Sequence, residues 1–249
     1  MAYANPTLLK IGKYLLPLAF CLATYNSFAQ TEKQIHVIKD KYRSSKLGVF
    51  TNDLKRNFDK ENNSLLQAAK TNGWKLTERL ADGNFSELTS IGDDGTPLYY
   101  STFSTELNTA TRANALHDNG LLDLGINGEN MLVGVWDAGA VLANHKEFGD
   151  SHATRVTGIL VAEGLDKKSK GVAYKAKAVS NDWRRDKIEA AEMAANGLLL
   201  SNHSYGIMSN RVPDWYFGSY IQVSRDWDKI MYNAPYYLMV TAAGNSQKS

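Results

Sequence analysis

The chain has 249 residues, 43% hydrophobic and 22% charged, with a formal net charge of +2. That length suits one α/β domain with a smaller companion segment, and the composition excludes a disordered chain or a repeat array. A charge so close to zero gives no broad electrostatic reason to bind nucleic acid or an anionic membrane.

Residues 1–29 stand apart. Lys10 and Lys13 precede an apolar run from Tyr14 to Ala23, and Ser27-Phe28-Ala29 sets small residues around a bulky one. Basic, apolar and small-residue zones in that order predict a secretory signal peptide. A membrane anchor fits less well, because the run is short for a bilayer core of roughly 30 Å and Pro17 interrupts it. Removing residues 1–29 takes two lysines and no acid, so the net charge goes from +2 to 0. The only cysteine, Cys21, leaves with them, so the mature chain forms no disulfide. The expected destination is secreted, periplasmic or cell-surface, with no membrane span in the mature chain.

Residues 30–116 read as an accessory or pro-segment. Ile35 to Ala69 is helix-rich, and Asn72-Gly73 breaks it. Trp74 to Phe103 shifts to short alternating runs separated by Asp82-Gly83 and Asp94-Gly95. That pattern predicts a small antiparallel unit with Leu98-Tyr99-Tyr100 in its last strand. No catalytic constellation lies here.

Residues 117–249 read as a second unit, in which strands and helices alternate from Met131 onward. Strands are expected at Met131–Trp136, Gly171–Val179, Leu198–Asn202 and Tyr236–Thr241. Helices are expected from Ser151 to Ala162, from Arg184 to Asn196 with Gly197 as the stop, and from Asp214 to Tyr232. Such alternation implies right-handed βαβ crossovers and a parallel sheet covered on both faces, whose ligands gather at the carboxyl ends of the strands.

Three residues stand at those ends. Asp137 follows the first strand, His152 opens the next helix, and Asn245 follows the last strand in Thr241-Ala-Ala-Gly-Asn245. An acid, an imidazole and an amide converging on one rim suit acyl transfer. The acid orients the imidazole, the imidazole deprotonates a nucleophile, and the amide donates to the oxyanion. Each alone is commonplace: an Asp after a strand is usually a turn former, and a histidine at a helix start is usually a packing residue. Order and context together carry the reading.

Five segments in order resemble the subtilisin-like serine proteases. Gly134-Val-Trp-Asp137-x-Gly139, with His145 and Glu147-Phe148 behind it, resembles the family's aspartate segment. His152-Ala-Thr-Arg-Val-Thr-Gly158 is similar to its histidine box, and Gly171-Val-Ala-Tyr-Lys-Ala176 to the strand that follows. Asn202-His-Ser-Tyr-Gly206 resembles the segment that lines the substrate channel, and Ala242-Ala-Gly-Asn245 the oxyanion segment. The resemblance implies an α/β three-layer sandwich with a mostly parallel sheet, incomplete here, preceded by a small α+β N-terminal segment. It implies a serine endopeptidase acting as a monomer on polypeptides. Asp137 would orient, His152 would act as base and then acid, and Asn245 would bind the oxyanion. Ser204, Tyr205 and Gly206 would pair with substrate backbone as an added strand. No organic cofactor is implied; calcium is common in the family, but no calcium site maps onto these residues.

The sequence departs from the family in identifiable places. No Gly-Thr-Ser box for the nucleophile occurs before Ser249, and Gly218-Ser219-Tyr220 falls inside a predicted helix. These 249 residues alone are therefore expected to show no turnover. The spacing from Asp137 to His152 is about half the family's, which threatens the geometry of the pair. Ala138, Ala153 and Arg155 replace Ser or Thr, Gly and His; Arg155 would lower the imidazole pKa if it faced the site and would do little if exposed. His145 and His203 are read as packing residues. A catalytically dead, peptide- or partner-binding relative is the alternative function. A metal hydrolase using Asp137, His145, Glu147 and His152 lacks any strong ligand spacing.

Overall fold

The computed structural model describes residues 31–81, 84–102, 113–139, 141, 152–164 and 170–245. The expected signal peptide and His145 lie outside them. No described helix is long and apolar enough to cross a membrane.

The N-terminal segment opens with α1 (Glu32–Lys39), capped by Thr31 and Gln34 in a reciprocal capping box. The single helix-rich stretch of the sequence is two helices, because α2 (Ser44–Asn72) starts afresh after Arg43. Gly73 ends α2 in the left-handed region at φ 68°, returning its N–H to the Ala69 carbonyl. Strands β1 (Thr77–Arg79), β2 (Phe85–Ile91) and β3 (Pro97–Thr102) then form the expected antiparallel meander.

The second segment holds β4 (Leu132–Asp137), α3 (His152–Val161), β5 (Lys177–Asp182), α4 (Asp186–Ala195) and β6 (Leu200–His203). It continues with β7 (Tyr205–Ile207), α5 (Gln222–Asn233) and β8 (Leu238–Thr241). Strands β5-β4-β6-β8 make a parallel sheet in that order, so the architecture is α/β. From β4 the chain crosses through α3 to one side; from β6 it crosses through α5 to the other. Right-handed crossovers therefore place α3 on one face and α4 and α5 on the opposite face. The switch in direction falls between β4 and β6, which puts the ligand crevice at their carboxyl ends.

Two expected elements are corrected. The strand expected at Gly171–Val179 begins only at Lys177. The amides of Gly171, Val172 and Ala173 instead bond the carbonyls of Ala162, Ile159 and Leu160, closing the end of α3. The helix expected from Asp214 starts at Gln222. Gly218, at φ 76°, breaks the chain direction before it, so Gly218-Ser219-Tyr220 is loop rather than helix.

Strand β7 leaves the parallel sheet. It pairs antiparallel with β3 of the N-terminal segment, setting Tyr100 opposite Ile207, Ser101 opposite Gly206 and Thr102 opposite Tyr205. The main core follows the same path: Tyr42, Leu47 and Tyr100 pack in one cluster with Trp136, Trp183, Tyr205, Trp227 and Ile230.

Candidate active site

Asp137 is the last residue of β4 and is completely buried. His152 is the first residue of α3, which packs on β4 and β5. The imidazole Nδ1 lies 2.7 Å from Asp137 Oδ2 and 2.9 Å from Oδ1. Asp137 Oδ1 also accepts the backbone N–H of Ala138 at 2.7 Å, which fixes the carboxylate from its own turn. The short spacing of this pair in sequence thus coexists with direct contact.

With Nδ1–H donated to the carboxylate, Nε2 carries the lone pair. That nitrogen is buried and has no hydrogen-bond partner among the described residues. A buried, unpaired acceptor on an oriented imidazole is the arrangement a general base requires before a hydroxyl reaches it. Arg155 is exposed on α3.

The other candidates follow the carboxyl ends of β6 and β8 in the chain. Ser204 follows β6; its Oγ accepts from Asn202 Nδ2 at 2.9 Å. Tyr205 turns inward, its hydroxyl donating to Asp186 at 2.9 Å. Gly206 lies opposite Ser101. Ala242 bonds its N–H to the His203 carbonyl, tying the segment after β8 to the end of β6. Asn245 lies beyond that tie and is exposed. Among the described residues no group of His, Cys, Asp and Glu could hold a metal ion.

Sequence reasoning reserved the 204–206 edge for a substrate; in the fold β3 fills it. Around this seam Trp183 is wholly buried, stacked on Phe85 at 6.0 Å and edge-on to Tyr100 at 6.0 Å. Its indole N–H donates to Glu87 at 2.6 Å, and the same carboxylate meets Arg184 at 2.7 Å. Neither the seam nor Trp183 was visible in sequence; the one local hint was the Leu98-Tyr99-Tyr100 strand with an unassigned partner. His203, read as a packing residue, is buried as expected and is hydrogen-bonded at both ring nitrogens.

Residues 129–249 match the family described as the subtilase family, peptidase S8. Over these residues the chain is similar to the subtilases. Neither a curated protein nor a solved structure matches the chain. The subtilase segment covers β4 to β8 and so contains Asp137, His152 and the whole parallel sheet, while the N-terminal meander lies outside it. Subtilases are serine peptidases, so polypeptides are the substrate class of the family.

Proposed function

We propose that this chain is the N-terminal part of a secreted serine endopeptidase that hydrolyses peptide bonds through an Asp-His-Ser triad. Asp137 orients and stabilises the imidazole, and His152 takes the proton of a serine hydroxyl and returns it to the leaving amine. Asn245 donates to the oxyanion, and Ser204–Gly206 offer backbone to an extended substrate. The contact of His152 Nδ1 with the buried Asp137 carboxylate, leaving Nε2 free of any described partner, carries this reading. The serine is not among residues 1–249 in any box that resembles the family's, so activity belongs to a product that supplies one. Residues 30–116 act as a pro-segment whose β3 lies along the edge that a substrate would use.

The test is to express the full reading frame containing residues 1–249 and assay the secreted product on casein. Hydrolysis that disappears in His152→Ala supports the proposal. A product with a serine box and undiminished activity in His152→Ala refutes it.

A second reading, a non-catalytic peptide-binding relative, is favoured by one observation: β7 already holds an extended strand. A frame that ends without a serine box, in a protein that binds peptides, would decide for it.

A further inference from the structure

Behind the β3–β7 seam lies a buried chain of polar groups that the proposed chemistry does not use. Ser201, His203 and Tyr205 alternate along one face of β6 and its continuation into β7. Ser201 Oγ lies 2.8 Å from His203 Nε2, and His203 Nδ1 lies 2.8 Å from Tyr205 Oη. Tyr205 Oη donates to Asp186 Oδ2 at 2.9 Å, and Ser201 Oγ lies 2.5 Å from Tyr237 Oη.

The direction of every proton in this chain follows from its end. The Asp186 carboxylate only accepts, so Tyr205 spends its proton there and must accept from His203 Nδ1–H. A neutral His203 then has a bare Nε2, which takes the Ser201 proton, and Ser201 Oγ in turn accepts from Tyr237. Four bonds point the same way, from Tyr237 to Asp186. The imidazole at the centre is fully enclosed, parallel to Trp136 at 5.3 Å and edge-on to Trp227 at 5.0 Å.

We propose that neutral His203 is a positioning residue that closes this one-way chain and thereby holds β7, the strand on which an extended polypeptide pairs, and that protonating it loosens that edge. A second proton on His203 points Nε2–H at a serine whose own proton already points back. Ser201 must then turn its proton off the ring, either onto Tyr237, which is left as a donor facing a donor, or out of the chain altogether. Tyr205 is the one member of the chain in β7, and its ring packs on Tyr100 of β3 at 5.1 Å, so disorder in the chain reaches the seam directly.

The charged surroundings do not cancel this cost. From α4, Asp186 favours a charged His203 and Lys187 opposes it, while burial outweighs both and draws the imidazole down to about 4. Tyr205 bonds the ring and Tyr237 reaches it through Ser201, both neutral phenols raised chiefly by burial. One layer out, Glu189 bonds the Trp136 indole, Asp226 precedes Trp227, and Tyr100 backs Tyr205; burial raises all three. An opened edge lets His203 titrate nearer 6.5, so acid favours opening between those values.

Hydrogen exchange on the full chain, corrected for the intrinsic rate at each pH, tests the inference. Protection at Tyr205–Ile207 should fall at least roughly tenfold from pH 7 to pH 4.5, while Val133–Val135 in β4 stay protected. His203→Asn keeps an amide donor near Nδ1 but cannot take the proton, and should abolish the pH step. Tyr205→Phe cuts the chain between His203 and Asp186 and should give low protection at both pH values with β4 still protected. A flat wild-type profile, an unchanged step in His203→Asn, or a wild-type profile in Tyr205→Phe would each overturn it. The inference rests on β7 being the polypeptide edge, yet exchange reports that edge without turnover. A chain that cleaves nothing can still pass, and His152-dependent cleavage can coexist with a flat profile.

Discussion

Two histidines, one opening α3 and one ending β6, have opposite relations to their surroundings. His152 gives one nitrogen to a buried carboxylate and leaves the other unpaired, whereas His203 has both nitrogens satisfied in a closed core. The first arrangement suits chemistry and the second suits support. In an active product, Asp137→Asn should preserve the fold but reverse the tautomer that His152 can hold, lowering kcat by roughly 10⁴-fold on peptide substrates. A loss that appeared only in KM would mean that Asp137 serves binding instead. His203 also predicts a slope in stability. Its pKa in the fold is below its ordinary value, so the unfolded chain binds more protons between about 4 and 6.5. Stability is therefore lost as pH falls through that window, by up to about 3 kcal/mol from this group. Asp226 and Glu189 have raised pKa values from burial and oppose the trend, gaining stability as they protonate. Urea unfolding from pH 7 to 4 should show the His203 loss shrink or vanish in His203→Asn.

The seam between segments is built from strand pairing plus one aromatic hub. Tyr100 brings the N-terminal segment into that hub, since its ring meets both Trp183 and Tyr205 and is almost fully buried. Tyr100→Ala should cost about 3 kcal/mol in urea unfolding, the range for emptying a buried aromatic site. Water reaching Trp183 should shift its emission to the red; unchanged emission and stability would mean that the seam rests on backbone pairing alone. This element also marks the limit of sequence reading. Apolar runs ended by Gly or Asp announced β4, α4 and β8 closely, because their signals are local: an alternating or continuous apolar stretch, then a breaker such as Gly197. The joining of β3 to β7 has no local signature, since its partners are separated by about a hundred residues and either strand would serve as an edge. The Gly171 stretch misled for a related reason. Its apolar residues look like a strand, but their amides are already committed to the carbonyls ending α3. At the candidate site, the pairing of Asp137 with His152 was legible because each abuts an element boundary; Ser204–Gly206 were picked out by family context alone, and the intramolecular occupant of that edge was not legible.

At the scale of the molecule, the N-terminal segment is not an appendage. Its α2 packs on α4 and α5, β3 completes a sheet with β7, and Glu87, Glu78 and Lys55 meet Arg184, Arg211 and Glu192 across the boundary. These ion pairs are partly exposed and are worth little singly. The binding therefore comes mainly from the shared core, where Tyr42, Leu47 and Tyr100 join the tryptophans of the subtilase segment. A contact of that kind should outlast a cut in the connecting chain. On the proposed reading, a protease site inserted within residues 103–112 of the complete product should, once cut, leave casein hydrolysis low while both pieces remain together. Degrading or washing away the released N-terminal piece should then raise hydrolysis at least roughly tenfold, because β7 regains a free edge. Salt alone should do far less, since screening weakens the exposed ion pairs but leaves the buried aromatic contacts in place. Full activity before the cut would show that a substrate reaches the site without displacing β3. Full activity at the moment of cutting would show that the covalent tether, rather than the shared core, keeps β3 on the edge. Slow recovery that tracks loss of the N-terminal piece is the result expected of a core divided between inhibitor and enzyme.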